Sequence, residues 1–226
     1  ELLFDHVDIL PENYNIPDGT LTKEATAEYC ATYEEKIESL GGIDLQILGI
    51  GGNGHIGFNE SGSLQHSKTR LVALDHITRV AASKDFSGLN NTPRTAITLG
   101  VKKIMEAKQV ILMAWGEGKS NIVKASAEGP VTNQVPASFL QEHNNAVYIL
   151  DKEAGSKLTR INRPWLVDKI EWTDQLTRKA VLGLALDLKK PILMLTDADY
   201  IENGMSDLLA EVGPAYDTNI KIFNNL

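Results

Sequence analysis

Short apolar runs that read as buried strands recur along this chain between stretches with helical periodicity, and that alternation limits the fold more than any other feature. Strands separated by helices lie side by side in a parallel sheet whose two faces the helices cover. The strand candidates are Leu45-Gln46-Ile47-Leu48-Gly49-Ile50, residues 71–74, residues 109–115 and Ala146–Leu150. Residues 22–40 place Ala25, Tyr29, Cys30, Tyr33, Ile37 and Leu40 on one side, the stripe of an amphipathic helix. Gly41-Gly42 ends it, because glycine accepts the left-handed conformation that follows a helix. Residues 101–107 and Ser120–Glu128 read as helices, and Pro136–Glu142 as helical. The expected fold class is α/β, an open parallel sheet.

From about residue 159 the pattern changes. Arg160-Ile161-Asn162-Arg163-Pro164-Trp165 reads as an extended connector, residues 173–189 as a long helix closed by Pro191, and shorter capped segments begin near Thr196 and Ser206. No strand alternates with them, so the chain divides into a domain over 1–158 and a helical appendage or linker over 159–226. Trp165 and Trp172 are expected to anchor the appendage to the domain surface. The opening, Glu1-Leu2-Leu3-Phe4-Asp5-His6, has no initiator Met, and Asn224-Asn225-Leu226 closes the chain without an evident terminal element. Both ends read as cuts in a longer polypeptide.

Composition removes several classes of function. Thirty acidic against 22 basic side chains give a net charge of −8, a poor footprint for a nucleic-acid binder. The longest apolar runs are far short of the roughly 20 residues a membrane span needs. The opening has neither the basic start nor the apolar core of a signal peptide. A single cysteine, Cys30, forms no internal disulfide and no cysteine metal cage, and His6, His66, His76 and His143 make no pair at ligand spacing. A cytoplasmic protein handling small molecules is the expectation.

The chemistry concentrates after the first parallel strand. Gly49-Ile50-Gly51-Gly52-Asn53-Gly54 satisfies the dinucleotide fingerprint letter by letter, and Asp75 stands about where a ribose-binding acid is expected. The fingerprint also requires a helix to open at the last glycine, with its N-terminus on the pyrophosphate. The residues that follow, His55-Ile56-Gly57-Phe58-Asn59-Glu60-Ser61-Gly62-Ser63, are poor helix formers. Three readings remain: an acid/base cluster, a tight strand-to-loop turn and nothing more, and, least favoured, a nicotinamide-nucleotide site. Asn53, His55 and Glu60 fall within eight residues at the edge where open α/β sheets place ligands. A histidine exchanges its proton near neutral pH, and a neighbouring carboxylate holds its tautomer and stabilises its charged form.

The run from Ile47 through Gly51-Gly52-Asn53-Gly54-His55 to Phe58-Asn59-Glu60 resembles the signature of glucosamine-6-phosphate deaminases. Phe4-Asp5-His6-Val7-Asp8-Ile9, Tyr33-Glu34-Glu35-Lys36-Ile37, Lys68-Thr69-Arg70, Thr78-Arg79-Val80-Ala81 and Ala96-Ile97-Thr98-Leu99-Gly100-Val101 follow in family order, so the resemblance covers roughly residues 1–150. It implies a Rossmann-like three-layer sandwich. It also implies conversion of glucosamine 6-phosphate and water to fructose 6-phosphate and ammonia, without metal or nucleotide. His55 would open the pyranose ring, Glu60 would orient and charge-balance the imidazole, and Asn53 would complete the group. Part of the family has Asp at position 53, which would also raise the histidine pKa; Asn keeps the hydrogen bond without the charge. Lys119 matches the phosphate-contacting lysine, Lys84 replaces a phosphate-binding Arg of some members, and Gly51 and Gly54 would line the substrate. Arg70 matches a position linked to an allosteric site in some members, but the neighbouring basic position is Val72, so that regulation is not expected.

The resemblance further implies that the base for the C2 proton and the phosphate-cradling loop lie upstream of Glu1, leaving residues 1–226 nearly inactive alone. Residues 160–172 resemble the connector of a longer subgroup fused to a deacetylase-like domain of the LmbE type. A homo-oligomeric state is compatible with the reading. The alternatives are a sugar-phosphate sensor without turnover and a phosphogluconolactonase-like hydrolase on the same fold.

Overall fold

The structure is a computed structural model and describes residues 4–226. The chain's opening Glu1-Leu2-Leu3 lies outside the described residues. Two compact units meet in sequence between Gly155 and Ser156.

The first unit runs α1 (Lys23–Ser39), β1 (Leu45–Gly49), β2 (Arg70–Ala73), α2 (His76–Ala82), β3 (Thr95–Thr98), α3 (Val101–Met105), β4 (Gln109–Ala114), α4 (Ser120–Glu128) and β5 (Ala146–Leu150), with 3-10 turns at Glu117–Lys119 and Pro136–Glu142. β1, β4 and β5 form the parallel sheet in the order β1-β4-β5. Ile47 pairs with Ile111 and Ile111 with Val147, which places these three residues in one row. The segment expected as a further parallel strand, 71–74, instead forms β2, which pairs antiparallel with β3 in a separate ribbon. β3 carries no sequence signal of its own, being four residues, Thr-Ala-Ile-Thr, without alternation.

Alternation along the parallel strands separates two faces. Leu48, Val110, Leu112 and Ala114 are buried, whereas Leu45, Ile47, Val147 and Ile149 on the opposite face stay exposed, Ile47 at 54%. Among the described residues, then, the sheet is covered on one face. The strands are apolar on both, which is why a covered second face was the natural expectation.

α1 begins at its cap Thr22, whose side chain accepts the Ala25 N–H, and its buried residues are Thr26, Cys30 and Glu34. The stripe is therefore turned from the expected one, with Leu40 and Ala25 exposed. The cause is a buried carboxylate: Glu34 accepts the Thr69 N–H at 2.6 Å where α1 packs on β2. Lys103 of α3, also buried, pairs with Glu38 of α1 and with Glu106.

The second unit is helical: α5 (Thr159–Asn162), α6 (Asp174–Leu188), α7 (Asp197–Glu202), α8 (Ser206–Glu211) and α9 (Ala215–Phe223). The expected extended connector over 160–165 is a helical turn followed by a 3-10 turn at Pro164–Leu166, and α9 was not anticipated. Trp172 belongs to this unit's own core with Val181, Leu184, Tyr200, Met205 and Leu208, and Trp165 packs against that core. The two rings lie 5.7 Å apart, so both indoles serve the helical unit itself. The Tyr200 hydroxyl donates to Asn219 Oδ1 at 2.7 Å, and Asn219 Nδ2 donates to the Leu195 carbonyl at 2.8 Å.

Candidate active site

Because β1 and β4 run parallel, the loops that leave them emerge at the same edge of the sheet. The first loop carries Asn53, His55 and Glu60; the second carries Lys119. No helix begins between residues 51 and 69, so the glycines open no helix N-terminus for a pyrophosphate. Asp75 caps α2 instead, accepting the Ile77 N–H at 2.7 Å. The dinucleotide reading fails on both counts.

The loop is held by its own backbone and by one buried amide. Gly51 N–H donates to the His55 carbonyl at 2.9 Å, and Gly54 N–H to the Gly51 carbonyl at 3.0 Å. Asn59, fully buried, donates to the Ile56 and Leu99 carbonyls at 3.0 and 2.8 Å and accepts from Arg70 at 2.9 Å. A Cβ on Gly51 would lie 2.2 Å from His55 Cε1, so this glycine makes room for the imidazole. Gly54, at φ +85°, packs where a Cβ would meet Val135 Cγ1 at 2.7 Å, and it is buried away from the cavity.

The polar group forms a directed chain. Asn53 Nδ2 donates to Glu60 Oε2 at 2.8 Å. A carboxylate only accepts, so this bond turns Asn53 Oδ1 toward His55, whose Nδ1 is 2.7 Å away. That arrangement puts the ring proton on Nδ1 and leaves Nε2 with a lone pair. Glu60 Oε2 is 3.2 Å from the same nitrogen, and Oε1 accepts the Asp75 N–H at 3.2 Å. The Thr78 hydroxyl, on α2, is 3.3 Å from Nδ1. Burial holds the His55 pKa below its ordinary 6.5; Glu60 pulls it up, and Lys119 adds to the lowering. The imidazole is thus neutral near pH 7, a base with its lone pair on Nε2.

An open cavity of about 380 Å³ lies against Gly51, His55, Ile77, Thr78 and Lys119. Lys119 Nζ donates to the Ile50 carbonyl at 2.7 Å, tying the second loop to the end of β1. That loop is itself pinned by Asp151, whose two carboxylate oxygens accept the Gly116 N–H at 3.0 and 2.8 Å and whose Oδ1 accepts the Ala154 N–H at 2.8 Å. Gly116 sits at φ +82°, ψ 155°, a conformation reserved for glycine.

The structure therefore brings Asn53, His55, Glu60, Gly51 and Lys119 together. Lys84 is exposed past the end of α2 and does not line the cavity, although Ala81 and Ala82 do. Sequence alone gives no role to Thr78 or Asp151, which reach the loops through the fold, Thr78 from 23 positions away, nor to Asn59, which lies in the loop but holds it through the Leu99 carbonyl 40 positions on. His143 contacts the Ala107 carbonyl at 2.8 Å, and His6, His66 and His76 are exposed. Among the described residues no three His, Cys, Asp or Glu side chains converge as a metal site would require.

An α/β unit with a histidine and a lysine beside one cavity at the carboxyl edge of its sheet has them where open α/β folds bind their ligands. The chain belongs to the family described as glucosamine-6-phosphate isomerases/6-phosphogluconolactonase, whose model matches residues 1–149. A glucosamine-6-phosphate deaminase-like protein of Bacteroides thetaiotaomicron is 53% identical over all 226 residues, which make up 34% of that protein. A glucosamine-6-phosphate deaminase of Hahella chejuensis is 46% identical over 175 residues, 77% of this chain and 64% of that one. Among solved structures, a monomeric glucosamine-6-phosphate deaminase superposes with a TM-score of 0.65 at 37% identity, covering 68% of this chain and 63% of the other. The chain thus spans about a third of the first of these relatives and less than two thirds of the others.

Proposed function

We propose that this chain carries the ring-opening site of a glucosamine-6-phosphate deaminase, an enzyme that turns glucosamine 6-phosphate and water into fructose 6-phosphate and ammonia. One observation carries the reading: a neutral His55 whose Nδ1 is held by Asn53 and Glu60, bordering a cavity that also meets Lys119. Nε2 takes the proton of the anomeric hydroxyl. The electron pair of that oxygen forms the C1 carbonyl as the bond from C1 to the ring oxygen breaks, and the proton passes to the ring oxygen. Glu60 stabilises the imidazolium formed between the two transfers. Lys119 offers the phosphate a cation, while exposed Lys84 has no comparable place at the cavity.

Isomerisation then requires a base for the C2 proton. We place that base, and the loop that cradles the phosphate, in parts of the longer protein outside this chain. The Bacteroides relative supports a longer parent, because all 226 residues align to a third of it; a fused deacetylase-like domain is the partner we infer. Among the described residues no helix is long and apolar enough to cross a membrane, which fits the cytoplasmic location we propose.

The test is product analysis with the full-length protein. Ammonia and fructose 6-phosphate formed from glucosamine 6-phosphate in equal amounts support the reading. Hydrolysis of 6-phosphogluconolactone without ammonia release would replace it with the hydrolase alternative, and saturable binding without either turnover would replace it with a sensor.

A further inference from the structure

The helical unit has an apolar groove that the proposed reaction does not use. It measures about 500 Å³ and lies between the C-terminal half of α6 and the end of α9, with the 3-10 turn at Ile192–Met194 packed on both helices. α6 is apolar on two sides: Val181 and Leu184 are buried in the unit's core, whereas Leu182 and Leu186 line the groove. A helix with one face to solvent carries polar residues there. Leu186, Leu193, Phe223 and Leu226, all in the groove wall, leave between 48% and 78% of their surface in water. One exposed leucine needs no explanation, but a contiguous group of large apolar side chains marks a contact surface. Among the described wall residues the charged one is Lys190, and its Nζ is committed to Asp199 Oδ1 at 2.6 Å. The walls therefore suit apolar side chains and not an ion or a polar small molecule.

Two observations point to the occupant. Leu226 is itself a wall residue, so polypeptide that continues past it starts inside the groove. The family model stops at residue 149, before the helical unit, whereas the Bacteroides relative matches that unit through residue 226 and has two thirds of its own length outside the match. The helical unit thus lies beyond the family's own domain and occurs together with additional polypeptide. A segment tethered at the groove binds as though present at roughly millimolar concentration, so it needs less contact area than a separate partner would. We propose that the groove docks the polypeptide that follows Leu226 in the longer parent, through a row of apolar side chains, and so holds the next part of that protein against the helical unit. This docking rests on the reading of the chain as part of a longer protein.

The experiment is hydroxyl-radical footprinting of the full-length protein, with its intact mass, limited proteolysis and sedimentation measured alongside. Leu186, Leu193 and Phe223 should be labelled several-fold less than their exposure in this chain implies, while Tyr216, 70% exposed and outside the groove, is labelled as its exposure implies. The protection should be the same in the monomer at every protein concentration. Leu193→Glu should raise labelling at Leu186 and Phe223 and speed cleavage just beyond residue 226, with ammonia release unchanged. Neither labelling nor cleavage depends on turnover, so a protein that docks without releasing ammonia would count against the deaminase reading alone. An intact mass that ends the natural protein near Leu226 would defeat the longer parent and the docking together. Wall residues labelled as freely as Tyr216, protection confined to a dimer, or unchanged labelling in Leu193→Glu would overturn the docking alone.

Discussion

Asn53 sits between a carboxylate and an imidazole, and the direction of its amide decides where the histidine proton rests. An aspartate at that position would keep a bond to His55 and add a charge that favours the imidazolium. Asn53→Asp should therefore move the acid limb of the kcat/KM profile to higher pH, because the base is lost by protonation at a higher pH; a profile that stays in place would contradict the role given to the amide. Gly51→Ala tests a different link, as its Cβ would lie 2.2 Å from the His55 ring. A displacement of that order costs about 100-fold in turnover, with the far-ultraviolet circular dichroism unchanged. Asn53, His55 and Glu60 were legible because they lie in one short glycine-flanked run. Thr78 and Asp151 were not, since each is an ordinary polar residue until the fold carries it to the loop.

At the scale of elements, capping residues were the most readable part of the chain. Thr22, Thr173 and Thr196 each accept an N–H at the start of the helix that follows, and the reading placed helix or segment starts at or beside all three. Which face of α1 is buried could not be read the same way, because Glu34 is inside for the sake of one backbone N–H. The ribbon of β2 with β3 escaped for a related reason: pairing between strands 20 or more residues apart leaves no trace in either segment. The loop after β4 gives the prediction at this scale. Asp151→Asn weakens the clamp on Gly116, frees the segment that carries Lys119, and should raise KM for the sugar phosphate more than it lowers kcat. Equal effects on both would show that the clamp acts on the chemistry and not on Lys119 placement.

Across the whole molecule, the open face of the sheet was the feature least visible beforehand, because apolar residues on a strand do not state what covers them. Substitution on the two faces should therefore separate cleanly in denaturant unfolding. Leu48→Ala, at a buried position, should cost about 2–5 kcal/mol, whereas Ile47→Ala, half exposed one residue earlier, should cost well under that range. Comparable losses would mean that the second face is covered. The central claim, that His55 opens the sugar ring, is most directly tested by kcat/KM for ammonia release from glucosamine 6-phosphate in the full-length protein and its His55→Ala variant. A correctly folded variant should lose about 10²–10⁴-fold, the usual contribution of a positioned acid/base group. Turnover within a few-fold of the unaltered protein would contradict the account.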